Sequence, residues 1–412
     1  MKTPTNSTDR RSFLRKSVQA GLMGTAATCL PTLGYSTAHL TETPHPEKGH
    51  VFLTTPYLQS PEPTAMTVMW ITNQLSYSWV EFGESQSLGS TVHEVKDGLV
   101  SAYNRINCIV LKGLKPGKKY YYRIFSKAIE EFQPYKLTYG ETIQSEVLSF
   151  TTPDPSAAEV SWLVMNDIHD RPHSIPHLMK LNQEDPFDYV FYNGDMFDYQ
   201  VDEQQMIDHM LVPSIEVFAS EKPFMFVRGN HETRGKFARG IHHYYRNPSG
   251  QQYYAYQWGP VHFTVFDTGE DKPDDHPVYA GIVDFDSYRE EQAKWFEETV
   301  VKSAAYKKAK FRVVMMHIPI YYSGDWHGTS HCRTLFSPLF NKYKVDICLS
   351  GHTHKYGVHP PVAGQHNYPI IIGGGPKEGN RTLIKVKANQ KQLELRMLRD
   401  DGEEVGSYQL PS

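Results

Sequence analysis

Met66, Val68 and Trp70 alternate with Thr67, Met69 and Ile71, a period of two that predicts a strand. Residues 79–82, 106–111 and 120–125 read the same way, with glycine and proline between them. Several short strands broken by turn signals predict a β-sandwich over about residues 50–152. A linker, 153–158, follows, and the pattern then changes. Residues 160–165, 189–192, 224–227, 263–266, 312–316 and 347–349 are short, mostly apolar runs. Helical segments are predicted at 175–182, 203–218 and 288–302. Strands that are apolar on both faces suit a sheet buried between helix layers. Residues 368–375, 383–387 and 393–399 read as further strands of a mixed sheet. The second domain is therefore placed at 159–412. Segments 235–260, 269–287 and 321–333 read as loops walling a site, with the acidic stretch 269–286 expected to be solvated.

Composition sharpens this picture in two ways. At roughly 100–200 residues per domain, 412 residues suggest two or three domains. Apolar residues at 39% and charged residues at 21% exclude a disordered or fibrous chain. The formal net charge is −4, yet the first 38 residues are basic: Lys2, Arg10, Arg11, Arg15 and Lys16 stand against Asp9. The rest of the chain is acidic, which argues against nonspecific nucleic-acid binding. Of the four cysteines, Cys29 falls in the basic leader, and Cys108, Cys332 and Cys348 have no metal-type spacing.

The leader has its own grammar. Asp9-Arg10-Arg11-Ser12-Phe13-Leu14-Arg15-Lys16 precedes a weakly polar stretch, 18–30, and Ser36-Thr37-Ala38 offers a small-residue cleavage site. This order predicts an export signal over residues 1–38. The paired arginines with Phe13 and Leu14 after them resemble the twin-arginine type, although Asp9 stands where that pattern prefers Ser or Thr. The resemblance implies a periplasmic or extracellular protein. Cys29 is an alternative lipid attachment point, but Ala26-Ala27-Thr28 before it is a poor lipidation motif. Pro31 cuts the apolar run short of the ~20 residues that a membrane span needs, and no later segment comes close.

Candidate chemistry sits directly after the apolar runs of the second domain. Asn166-Asp167-Ile168-His169-Asp170 follows the first run, Asn193-Gly194-Asp195 the second, and Arg228-Gly229-Asn230-His231-Glu232 the third. His317 follows the fifth, and Gly351-His352-Thr353-His354 the sixth. The C-terminal ends of strands are where α/β sheets bind ligands. Any one of these segments alone reads as a turn. Five of them in this order bring Asp, Asn and His side chains to one place. Imidazole and carboxylate donors without thiolate suit Zn, Fe or Mn.

With this set, residues 159–361 resemble the calcineurin-like metallophosphoesterases. The resemblance implies a four-layer α/β/β/α sandwich around a two-metal centre, with two divalent or mixed-valence ions. One ion would take Asp167, His169 and His354, the other Asn230, His317 and His352, with Asp195 bridging. His231 would protonate the leaving group. Two such ions lower the pKa of a bridging water, so that hydroxide attacks the phosphoryl group in line. Two Asp charges and one hydroxide offset three of four positive charges, leaving a centre suited to an anionic ester.

The first domain carries two resemblances of its own. Gly113-Leu114-Lys115-Pro116-Gly117-Lys118-Lys119-Tyr120 resembles the tyrosine-corner turn of fibronectin type III domains, which makes Tyr120 a fold residue. Thr55-Pro56-Tyr57-Leu58-Gln59-Ser60, with residues 66–72, is similar to the N-terminal domain of purple acid phosphatases. The second domain departs from that subfamily, which has Gly where His169 stands and an iron-binding Tyr where Asp198 stands. The departure places the iron requirement and the purple colour outside what the resemblance implies.

Arg228, Arg234 and Tyr321 are candidate contacts to the phosphate or leaving group, with His173 and Tyr322 behind them. The reading that results is an exported phosphoesterase acting on small phosphate esters, with monoesters favoured. A phosphodiesterase of the same fold is the alternative. A surface-binding protein with an inactive phosphoesterase domain is a third reading, against which every ligand position is filled.

Overall fold

The computed structural model describes residues 49–412. The export signal expected at 1–38 lies outside the described residues. None of the described helices is long and apolar enough to cross a membrane.

The first domain is all-β. Its seven-stranded antiparallel sheet is organised around one long strand, Ala65–Gly83, which pairs with Phe52–Glu62, Ala102–Lys112 and Lys119–Gln133. Periodicity alone splits this strand into 66–71 and 79–82. Polar residues bridge the gap because their hydroxyls are satisfied inside. Ser76 Oγ lies 3.1 Å from Ser78 Oγ, Ser78 Oγ lies 2.8 Å from Ser126 Oγ, and Trp70 Nε1 donates to Ser126 at 2.8 Å. A buried hydroxyl with a partner costs far less than an orphaned one. The strand Lys136–Gln144 escaped prediction because its side chains are mostly exposed. Tyr120 accepts the Lys115 amide at 2.9 Å, as a tyrosine corner requires.

The second domain has four layers, α/β/β/α. Its strands are β1 (Glu159–Met165), β2 (Tyr189–Asn193), β3 (Phe224–Val227), β4 (Tyr254–Trp258), β5 (Val261–Phe266) and β6 (Phe311–Met316). They continue with β7 (Ile347–Ser350), β8 (Gly357–His359), β9 (Ile370–Ile372), β10 (Thr382–Asn389), β11 (Gln392–Arg399) and β12 (Glu404–Pro411). One sheet runs β3-β2-β1-β10-β11-β12 and the other β4-β5-β6-β7-β9-β8. The strands β1, β2 and β3 are mutually parallel, as are β5, β6 and β7.

Alternation builds the layers. Val160, Trp162, Val164, Tyr189 and Phe191 face Phe263, Val313, Met315 and Leu349 between the two sheets. Trp162 meets Phe263 edge to face at 4.9 Å. The intervening residues Leu163, Met165, Val190 and Tyr192 point outward to helix α1 (Ser174–Leu181) and to the helical run 203–219, here α2. On the opposite side, Val314, Met316 and Cys348 pack under α3 (Phe285–Trp295) and α4 (His327–Lys342).

Three expectations about the loops need correction. Residues 321–333 are not simply a loop, because α4 begins at His327. Gly328, Pro338 and the polar Thr329-Ser330-His331 run hide its amphipathic pattern. Segment 235–260 contains β4, an edge strand. Segment 269–286 is not uniformly solvated, since Glu270 is buried.

The first domain docks on the second through the segment that resembled the purple acid phosphatases. Tyr57 OH donates to Tyr244 O at 2.8 Å, Gln59 Nε2 to Phe224 O at 3.2 Å, and Tyr122 OH to Ser220 O at 2.6 Å. Tyr57, Met69 and Ile71 complete the apolar layer beneath α2.

Candidate metal centre

Five parallel strands end along one rim, and each delivers its polar residues within a turn. Backbone conformation there is unusual. Asp167, His169, Asp195, His352 and His354 all have positive φ, between 49° and 70°. Non-glycine residues rarely adopt this region, and its strain concentrates at functional sites. The surrounding backbone holds them there: Asp167 N donates to Gly194 O, His169 N to Asp195 O, and Gly351 N to His317 O, all near 3.0 Å. Gly194 has to be glycine, because a Cβ would come within 2.5 Å of His317 Nδ1.

The side chains fall into two groups that share Asp195. Asp167, His169, Asp195 and His354 bring ligand atoms within 4.8 Å of one another, and so do Asp195, His317 and His352. Asn230 joins the second group, its Oδ1 lying 2.9 Å from His352 Nδ1. All seven candidate ligands are thus brought to one rim.

The donor set fits cations better than it fits itself. Asp167 Oδ1 and His317 Nε2 are buried without a hydrogen-bond partner. His317 Nε2 comes within 2.9 Å of Asp195 Oδ2 without the alignment of a hydrogen bond. His169 Nε2 and His354 Nε2 lie 3.0 Å apart, two imidazole nitrogens aimed at a common point. Asp167 and Asp195 are both buried. Burial opposes their ionisation, but neighbouring imidazoles hold both below the usual carboxylate range. Burial likewise opposes protonation of His317 and His169, and the two carboxylates outweigh it, raising them to about 10 and about 9. His352 goes the other way, to about 4, through burial and the charge of His317. Buried carboxylates and imidazoles in this density call for positive charge at the centre, which protons or metal ions supply.

Partners outside the two groups fix the rings. His317 Nδ1 donates to Asn193 O at 2.8 Å, leaving Nε2 free for the centre. Asn193 Nδ2 also reaches Met316 O and Leu349 O, tying β2 to the ends of β6 and β7 across the sandwich. Glu232 accepts the amides of Gly229, Asp195, Met196 and Phe197, locking the loop after β2 to the loop after β3. Glu232 leaves no mark of this role in the sequence, because its partners at 195–197 are brought to it by the sheet.

Asp198, which stands where the purple enzymes have tyrosine, places its Oδ1 2.8 Å from His169 Nδ1. A carboxylate behind a ligating histidine fixes the ring and raises its basicity. Asp198→Asn is therefore expected to weaken metal binding by about 10–100-fold with the fold intact, measured by competition with a chelator. Unchanged affinity would reduce Asp198 to a half-exposed surface residue.

His231 is beside the centre, its Nε2 4.0 Å from Asp195 Oδ2. Its Nδ1 lies 2.7 Å from Asp198 O, and its Nε2 lies 3.0 Å from Arg234 Nη1. A carbonyl only accepts and a guanidinium only donates, so Nδ1 carries the hydrogen and Nε2 offers a lone pair. Arg234 is steered by the buried Glu270, which accepts from Nε and Nη2 at 2.8 Å.

The other candidate contacts are committed elsewhere. Arg228 forms a double hydrogen bond to the buried Asp267, at 2.8 and 2.5 Å. Tyr321 OH lies 3.0 Å from Ser337 Oγ and donates to Gln365 O at 3.2 Å. Tyr322 stacks on His359 at 3.8 Å, and His173 is an exposed residue at the start of α1. Cys332 and Cys348 are buried, and Cys108 is half-buried beside Arg246.

Comparison with known proteins agrees with this architecture. Residues 161–356 match the calcineurin-like phosphoesterase family, and residues 53–152 match the purple acid phosphatase N-terminal domain. The chain is 27% identical over 336 residues to mouse acid phosphatase type 7, covering 76% of this chain and 71% of the relative. It is 25% identical over 347 residues to purple acid phosphatase 21 of Arabidopsis thaliana, covering 81% and 73%. Two solved structures share the fold. The purple acid phosphatase PPD1 of yellow lupin has a TM-score of 0.66 at 17% identity, over 86% of this chain and 74% of that one. PhoD has a TM-score of 0.61 at 12% identity, over 87% and 89%.

Proposed function

We propose that this chain, which carries a calcineurin-like phosphoesterase domain over residues 161–356 and a purple acid phosphatase N-terminal domain over residues 53–152, is an exported, metal-dependent phosphoric ester hydrolase with a preference for monoesters. The observation that carries this reading is the pair of ligand groups sharing Asp195, with His231 and Arg234 at their side. Two ions held there would supply Lewis-acid charge and an acidified water. Asp167, His169 and His354 would hold one, Asn230, His317 and His352 the other.

The remaining work falls to side chains of the chain itself. Arg234 stands where a phosphoryl oxygen would approach, and Glu270 keeps its guanidinium aimed. An arriving phosphate would draw Arg234 into an ion pair and release His231 Nε2. With Nδ1 anchored on Asp198 O, the released Nε2 can take up a proton from solvent and would deliver it to the leaving oxygen. Beyond Arg234 a cavity of about 530 Å³ is lined by Tyr199, Lys236, Arg239, Lys272 and Tyr279. Its cationic rim favours the more highly charged monoester over a diester. The test is an assay of matched mono- and diesters after loading with Zn, Mn or Fe. Faster turnover of diesters would make the protein a phosphodiesterase, and no turnover with metal bound would make it a binding protein.

Export rests on the leader at 1–38. The twin-arginine route moves folded proteins, which would let a two-metal site load before export. Arg10→Lys together with Arg11→Lys is expected to leave uncleaved precursor in the cytoplasm on cell fractionation. Normal export of the double variant would place the chain on a route for unfolded proteins.

A further inference from the structure

A second cluster of ligating side chains lies away from the rim, where α3 meets α4. His327 and His331 sit one turn apart at the start of α4, and Asp286 faces them from the start of α3. His327 Nε2 is 2.9 and 2.8 Å from the two oxygens of Asp286, and His331 Nδ1 is 3.0 Å from Oδ1. The three residues bring their ligand atoms within 4.8 Å of one another. From this arrangement we propose a third metal site, taking a divalent first-row transition ion of the zinc type.

Three features separate the cluster from an ordinary ion pair. Histidines at i and i+4 on a helix present two nitrogens to one point, the spacing used by helical zinc sites. His331 Nδ1 is buried and lacks a hydrogen-bond partner, although Asp286 Oδ1 is only 3.0 Å away. The same misaligned proximity marks His317 and Asp195 in the main centre, and it is what ligands converging on a shared ion show. Arg289 donates to Asp286 Oδ1 at 2.8 Å and orients the carboxylate, as outer partners of metal ligands do. Two imidazoles and a carboxylate favour Zn, Co or Ni over Mg or Ca. The His327 side chain is 38% exposed, which leaves room for a water ligand and a path for the ion.

An ion here would act on the cleft wall. Arg289 also donates to Thr268 O and Glu270 O, and Gly328 N donates to Asp271 O at 2.8 Å. Tying α3 to α4 would stiffen the segment from which Glu270 steers Arg234.

The test is equilibrium dialysis of the full chain against zinc, with elemental analysis, on two matched pairs. The first is the unaltered protein against His327→Gln, and the second is Asp195→Asn against Asp195→Asn with His327→Gln. In each pair the His327→Gln member is expected to bind one zinc ion fewer, or to bind it at least about tenfold more weakly. In the Asp195→Asn background, zinc is expected to raise the melting temperature only where His327 is retained. Melting without zinc checks the fold, and His331→Gln in place of His327→Gln gives an independent removal of a ligand. Equal zinc content within both pairs would overturn the site, whatever the main centre binds.

Discussion

Asp195→Asn is expected to abolish metal retention at the rim, and hydrolysis with it. Asp195 is the carboxylate common to both ligand groups. Its Oδ2 lies 2.9 Å from His317 Nε2 and 3.6 Å from His169 Nε2, while Oδ1 accepts the His231 amide at 2.9 Å. Asparagine would keep one acceptor oxygen but lose the charge, and it would turn an amide donor toward nitrogens that must face cations. Lewis-acid stabilisation is worth several kcal/mol. At 1.36 kcal/mol per factor of ten, its loss should cost about 10³-fold or more in kcat. Elemental analysis and a thermal melt separate this outcome from misfolding. Two ions per chain in the folded variant, counted with His327→Gln also in place, would remove Asp195 from its bridging position.

His231→Asn should behave differently, retaining metal while losing catalysis in a way that depends on the leaving group. A positioned acid contributes about 10²–10⁴-fold, and its contribution falls as the leaving group improves. An alkoxide leaves badly without a proton, whereas a nitrophenolate leaves well unaided. The expected result is a loss of that order on alkyl phosphates and a much smaller one on nitrophenyl phosphate. Asparagine can still donate to Asp198 O, so the loop that holds Asn230 is spared. Equal losses on both substrates would mean that His231, like Arg234, orients the phosphate and does not deliver the proton.

The candidate ligands were legible because each follows an apolar strand by a few residues and a glycine accompanies most of them. That is a local pattern, and parallel strands convert local order into convergence. What surrounds the ligands was not legible in the same way. Glu232 bonds to amides on another loop, Asp198 to a histidine 29 positions earlier, and Glu270 to an arginine 36 positions earlier. Such partners are defined by tertiary distance and leave no periodic trace. Arg228 shows the converse, since its position beside Asn230 suggested substrate, but Asp267 has claimed its guanidinium. The layer architecture was readable from runs apolar on both faces. Polar or exposed strands such as Lys136–Gln144 and Glu404–Pro411 were not, because neither face carries an unbroken apolar signal.

The docking of Gln59 on Phe224 has a consequence for solubility as well as for architecture. β3 is the terminal strand of its sheet, and its backbone would otherwise offer a ready template for another chain. Gln59 Nε2 occupies the Phe224 carbonyl at this margin, and Tyr57 stacks over the same ring at 6.1 Å. The strand so guarded runs straight into Asn230 and His231. The N-terminal domain therefore covers part of a sheet margin whose pairing with another chain would pull on the loop that carries Asn230 and His231.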